Sequence, residues 1–178
     1  MSSPSPTANL DPMLLDLFRV ELENNTRVLE KGLVSAEDDQ RPEKIEPLMR
    51  AAHSIKGAAR IVGLSQAVSL AHAMEDLLSA VQKGNLALTG DHVDLLLKGN
   101  DLYAAMSRLE TGAIPVWLAE QEDFLNQMAR DIRDSLTGQP SAAPTAADKP
   151  LPPPPAPAAP VSAPPPGETA AAPVAPPP

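Results

Sequence analysis

The chain has 178 residues, no cysteine and a formal net charge of −9. An acidic chain with few aromatics and no Lys/Arg cluster has nothing to neutralise a phosphate backbone, so nucleic-acid binding is disfavoured. A disulfide framework and a thiolate metal site are excluded. No apolar run reaches the length of a membrane span, and Ser2 to Asn9 lacks the basic and apolar parts of a signal peptide, so no membrane insertion and a cytoplasmic location are expected.

Residues 1–10 read as a flexible N-terminus. Asp11-Pro12 is a helix start, with Asp as N-cap and Pro in the first turn. A helix is expected from there to about Leu33, with Leu14, Leu17, Phe18, Val28 and Leu29 as its apolar stripe. Glu21 and Asn25 fall on the same stripe, which the pattern alone does not explain. Glu37 to Arg41 is a polar connection, and Pro42 opens a second helix. Ile45, Leu48, Met49, Ala52, Ile55, Ala59 and Val62 recur at helical spacing, and Gly63 is its natural stop. Ser65 is placed to cap a third helix with the cleanest stripe of the chain: Ala67, Leu70, Ala71, Met74, Leu77, Leu78 and Val81. Gly84 ends it. Thr89 or Asp91 caps a fourth, which carries Leu95, Leu96, Leu102, Tyr103, Met106 and Leu109. Its interior Gly99 costs about 1 kcal/mol relative to Ala. After Thr111-Gly112, Pro115 starts a fifth helix with Trp117, Phe124, Leu125, Met128 and Ile132 on one face.

Long amphipathic helices joined by short connections predict an all-α, antiparallel up-down four-helix bundle. The bundle is assigned to 11–110 and the additional helix to 111–137, either packed on the bundle or turned to a partner. Residues 138–178 read as a disordered Pro/Ala-rich linker, since 140–178 holds sixteen of the twenty-two prolines and no aromatic. Such a composition cannot bury a core and favours extended polyproline II. A spacer normally separates two things, so the chain reads as the N-terminal piece of a longer protein. A PxxP ligand role is the weaker reading of the tail, because flanking basic residues are missing.

Of the three histidines, His92 sits in a helix first turn and is given no function. His53 lies at the edge of the buried face of its helix, with Lys56 at i+3 and Gly57 at i+4 beside it. A glycine in mid-helix is unfavourable unless something needs the room. Lys56 offers a cation about one turn from a phosphoryl group on His53, and phosphoryl transfer relies on such electrostatics. On the third helix His72 and Glu75 are spaced i, i+3. If that helix packs antiparallel to the second, Glu75 can accept from His53 Nδ1–H and leave Nε2 with the lone pair. By spacing alone, an exposed His beside a solvated Lys is the commoner meaning of this pattern.

The segment Arg50-Ala51-Ala52-His53-Ser54-Ile55-Lys56-Gly57-Ala58-Ala59 resembles the phosphoacceptor segment of the histidine phosphotransfer (HPt) domain, in the form found at the N-terminus of CheA-type histidine kinases. Ala71-His72-Ala73-Met74-Glu75-Asp76-Leu77-Leu78 resembles that family's next helix, at the matching separation. The resemblance covers about residues 11 to 110. It implies that His53 is phosphorylated at Nε2, that Glu75 holds the other ring nitrogen, that Lys56 and His72 join the same polar network, and that Gly57 permits partner docking. It implies no cofactor in this segment, with ATP and Mg in a kinase domain of the parent. Its implied partners are that kinase domain, in the same or a dimeric parent, and a response-regulator receiver domain whose Asp takes the phosphoryl group.

The chain departs from many chemotaxis sequences after the phosphoacceptor segment. Where they have a glycine-rich turn and a Phe, it has Ala59-Arg60-Ile61-Val62-Gly63-Leu64. That form looks more like the kinase of the Wsp-type surface-sensing system, a hybrid with its own receiver, which puts flagellar chemotaxis as the output in doubt. Two other readings stand beside it. His53, His72 and Glu75 could ligate a metal, although di-iron bundles use the reversed Glu-x-x-His order on two helices. A plain helical dimerisation domain with a proline-rich arm explains the bundle but not the 50–59 segment. No phosphate loop or Walker motif is present, so this segment alone is not expected to be an enzyme.

Overall fold

The computed structural model describes residues 11–137, and all their regular structure is helical. The expected flexible N-terminus (1–10) and linker (138–178) lie outside the described residues. The elements are α1 (Pro12–Ala36), α2 (Pro42–Ile61), α3 (Ser65–Gln82), α4 (Gly90–Ser107), a 3₁₀ turn over Thr111–Ala113, α5 (Ile114–Glu120) and α6 (Glu122–Thr137).

Local chemistry sets most of the ends. Asp11 accepts from the Met13 N–H at 2.9 Å and Pro12 opens α1; Pro42 opens α2. Gly63 and Gly84 take the left-handed φ values of 68° and 71° that let a helix turn back. After each, the next N–H returns to an orphan carbonyl: Leu64 to Ala59 at 3.0 Å, Asn85 to Ala80 at 2.9 Å. Thr89 caps α4, its Oγ1 accepting from the His92 N–H at 3.3 Å. Ser65 does not cap α3. The N-cap is Leu64, which is buried, while the Ser65 hydroxyl bonds to Gln66. The connection is so short that an apolar plug takes the cap position.

α1 packs against α2 and α4, α2 against α3, and α6 lies along α3 and reaches α4. Antiparallel order is visible in the contacts. Asn100 Nδ2 donates to the Thr26 carbonyl at 3.2 Å, and the Tyr103 hydroxyl donates to the Ala67 carbonyl at 2.6 Å. The Gln40 side chain pairs with both backbone groups of Leu88 at 2.7 and 2.8 Å, tying the α1–α2 connection to the α3–α4 connection. Gly99 is where α4 comes close to its neighbours: a Cβ there would sit 3.1 Å from Met74 Sδ.

Two expectations are corrected. The buried stripe of α1 is Leu15, Phe18, Leu22, Thr26, Leu29, Leu33 and Ala36. Leu14, Leu17 and Val28 are exposed instead. α1 is apolar on two faces, and Thr26 broke the true one in the sequence pattern. Its hydroxyl is satisfied by the Leu22 carbonyl at 2.7 Å, so it enters the core without cost in lost hydrogen bonds. The fifth helix is divided at Gln121. The acidic pair Glu122 and Asp123 begins a new helix, where a carboxylate is favoured. Of the two roles considered for this segment, packing is the one observed: Leu125, Met128, Ala129 and Ile132 join the same core as the bundle, and Arg133 reaches the Ser69 carbonyl at 3.0 Å.

Candidate functional site

α2 and α3 are joined by only three residues, so their facing edges are held in fixed register. His53 stands at the edge of α2 with its side chain 67% exposed. Its Nδ1 lies 2.8 Å from Glu75 Oε1 on α3. Lys56, one turn further on, places Nζ 2.5 Å from the other oxygen, Glu75 Oε2. Glu75 is the most enclosed of the three, its side chain 17% exposed. Burial pushes its carboxyl up, but the hydrogen bonds from Lys56 and His53, with their charges, outweigh that and hold it below the usual 4.5.

An ionised carboxylate only accepts, so Nδ1 carries the proton and the Nε2 lone pair faces outward. Nε2 has no hydrogen-bond partner among the described residues. Gly57, at i+4, opens the space beside it: a Cβ built there meets nothing within 4 Å. Next to it runs a shallow groove of about 340 Å³ between α1 and α2, lined by Leu14, Leu17, Glu21, Ser54, Gly57 and Ile61 among others. The pattern reading missed this groove. Its signal was there in Glu21, which did not fit a core stripe and lines the groove.

His72 is not drawn into the network around His53. Its Nε2 faces Asp76 Oδ2 at 3.5 Å, because the i+4 residue shares its outward face while Glu75 at i+3 turns toward α2. The three ligands of the metal reading are therefore not gathered, and no group of three metal-holding side chains occurs among the described residues. His92 is structural. Its Nδ1 accepts from the Thr89 N–H at 3.2 Å and its Nε2 approaches the Ser135 carbonyl at 3.4 Å, linking α4 to α6.

The depressed Glu75 titration has a measurable consequence. A carboxylate held below its unfolded value contributes stability that is whole above about pH 4.5 and is lost as pH falls through the lower folded value. Glu75→Gln should therefore lose stability relative to wild type at neutral pH, and that gap should close on acidification. Urea unfolding followed from pH 6 to pH 3 checks this, and a gap independent of pH contradicts it.

An exposed imidazole nitrogen with its tautomer fixed by a carboxylate, a lysine beside it and open space in front is a nucleophile that a partner can reach. The Hpt domain profile matches residues 13–135, and the chain belongs to that family: it is a phosphotransfer module of two-component signalling. Among its relatives is the chemotaxis protein CheA of Rhizobium meliloti (strain 1021), 33% identical over 148 residues, 82% of this chain and 19% of the relative. The gliding motility regulatory protein of Myxococcus xanthus is 33% identical over 107 residues, 60% of this chain and 14% of the relative. The sensor histidine kinase CheAY of Helicobacter pylori is 33% identical over 96 residues, 52% and 12%. The chain spans less than a fifth of the length of these relatives. No helix among the described residues is long and apolar enough to cross a membrane.

Proposed function

We propose that His53 is the phosphoacceptor, loaded from ATP by the kinase domain of a CheA-type parent and discharged to an aspartate of a receiver domain, in the cytoplasm. The observation that carries this reading is the 2.8 Å contact of His53 Nδ1 with Glu75, which leaves the exposed Nε2 as the nucleophile. The Nε2 lone pair attacks the γ-phosphorus, the N–P bond forms, and the P–O bond to ADP breaks. No proton has to leave Nε2. The ring takes on positive charge as the bond forms, and the Glu75 carboxylate on Nδ1–H stabilises it. Lys56, already paired with Glu75, stands one turn away to neutralise phosphoryl oxygens. In the second step an aspartate oxygen attacks phosphorus and the N–P bond breaks, returning neutral imidazole. ATP and Mg²⁺ belong to the kinase domain and Mg²⁺ again to the receiver; the His–Glu–Lys cluster itself needs neither as a resident cofactor.

This reading predicts that Glu75→Ala slows phosphorylation by roughly tenfold or more, the usual scale of acid–base assistance. Time courses with ATP and the kinase domain measure it, and an unchanged rate would reduce Glu75 to a surface acid. A purely structural helical domain would leave the His53–Glu75–Lys56 cluster without a purpose.

A further inference from the structure

A recess of about 340 Å³ lies between α1 and α4 and takes no part in the chemistry at His53. Asn100 is its buried member, 2% exposed. Its Nδ2 is committed to the Thr26 carbonyl at 3.2 Å, while its Oδ1 has no hydrogen-bond partner. A buried amide oxygen left unpaired is costly, and such groups are rare in folded proteins. The neutral donors around it are spent. Thr26 Oγ1 donates to the Leu22 carbonyl at 2.7 Å, and Ser107 Oγ donates to the Ala104 carbonyl at 2.9 Å.

On the rim, Arg27 is paired with Glu23 at 2.5 Å. Glu30, Asp101 and Arg108 are exposed and have no hydrogen bond or ion pair among the described residues. Partial burial and the charge of Glu30 hold the Asp101 carboxyl above its usual range, and Arg108 offsets them in part. The unspent groups are therefore three acceptors, namely the Asn100 amide oxygen and two carboxylates, and one guanidinium. Three acids and two bases line the recess, a net charge of −1.

Three acceptors in one recess match the three N–H donors of a primary ammonium. A guanidinium fits less well, because its planar fork is satisfied by a single carboxylate held bidentately. A divalent cation fits worse. Mg²⁺ and Ca²⁺ ask for about six to eight oxygens, and no group of three metal-holding side chains occurs among the described residues. Arg108 follows Asp101 by seven residues, about 10 Å along the axis of α4. Its side chain can reach back over part of that span to a carboxylate on the same ligand. A ligand with one excess positive charge balances the lining.

We propose that the α1–α4 recess binds a small basic amino acid of the lysine type, its side-chain ammonium held by Asn100 Oδ1, Glu30 and Asp101 and its carboxylate by Arg108. The site does not depend on the phosphotransfer role of His53. Its occupant bridges α1 and α4, so it stabilises the folded bundle as its concentration rises.

The test is a titration of the ¹⁵N-labelled 178-residue chain with L-lysine at fixed ionic strength, following the side-chain NH₂ signals of Asn100. L-lysine should shift them saturably and raise the thermal midpoint. Norleucine, which lacks the side-chain ammonium, should do neither. Asp101→Asn should weaken lysine binding by about tenfold or more, the usual scale of a hydrogen bond to a charged group. Cadaverine, which lacks the carboxylate, should bind the unmodified chain more weakly than lysine does. Arg108→Gln should bring lysine down to the cadaverine level without weakening cadaverine. Circular dichroism checks that each variant folds, and Glu30→Gln reads the same ammonium contact if Asp101→Asn does not. No saturable shift with lysine overturns the proposal and leaves Asn100 Oδ1 to a buried water. So does undiminished binding by the folded Asp101→Asn or Glu30→Gln variant, an equal response to norleucine, or tighter binding of Mg²⁺ or Ca²⁺ at the same signals.

Discussion

His53→Gln should abolish phosphoryl acceptance while leaving the bundle folded. The ring is largely outside the core, so its loss opens no cavity, and glutamine is a good helix former. What disappears is the only nucleophile of the cluster: Gln presents an amide with no basic nitrogen. His72 does not substitute for it, since its Nε2 is turned to Asp76 and it lacks the Glu75 contact. His92 is buried at the start of α4. Incorporation from ATP and a kinase domain should therefore fall to background, with circular dichroism and the thermal midpoint little changed. Full labelling of the variant would move the acceptor elsewhere.

Gly57→Gln should have the second-largest effect, and of a different kind. Nothing lies within 4 Å of a Cβ at that position, so a side chain fits the isolated molecule. Replacing a mid-helix glycine should even raise stability by about 0.5–1 kcal/mol. A long side chain there would fill the space through which a second protein reaches Nε2. Since a displacement of 1 Å can cost on the order of 100-fold in rate, both loading by the kinase domain and discharge to a receiver should fall by that order. Loading by a small chemical donor should survive. A more stable variant that transfers normally in both directions would leave the glycine without this purpose.

Much of the fold could be read from the sequence because its signals are local. Pro12, Pro42, Gly63 and Gly84 mark helix ends through backbone constraints, and Thr89 through a side-chain cap, all acting within a few residues. The stripe of α3 was legible because it is simple: every apolar residue picked from the pattern is buried. α1 was misread because it has two apolar faces, and periodicity cannot say which one a neighbour will cover. Thr26 deepened the ambiguity by entering the core on a hydrogen bond that no hydropathy pattern records. The break at Gln121 was likewise hidden. Residues 114–132 keep one helical phase, while α5 meets the 3₁₀ turn and α6 lies along α3.

At the site, the pairing of His53 with Glu75 was anticipated from edge positions on two helices, and the 2.8 Å contact agrees with it. Lys56 was anticipated as a cation near the phosphoryl group. Its resting partner is Glu75, the acid that also holds His53. The direction of His72 depends on Asp76, a competing acid on the same turn.

The proposed mechanism turns on which ring nitrogen takes the phosphoryl group. Loading the chain labelled uniformly with ¹⁵N and recording long-range ¹H–¹⁵N and ³¹P spectra of the product reads this directly. The geometry predicts one phosphohistidine, at His53, with phosphorus on Nε2 and the proton retained on Nδ1 toward Glu75. Phosphorus on Nδ1, or on any other residue, would contradict it.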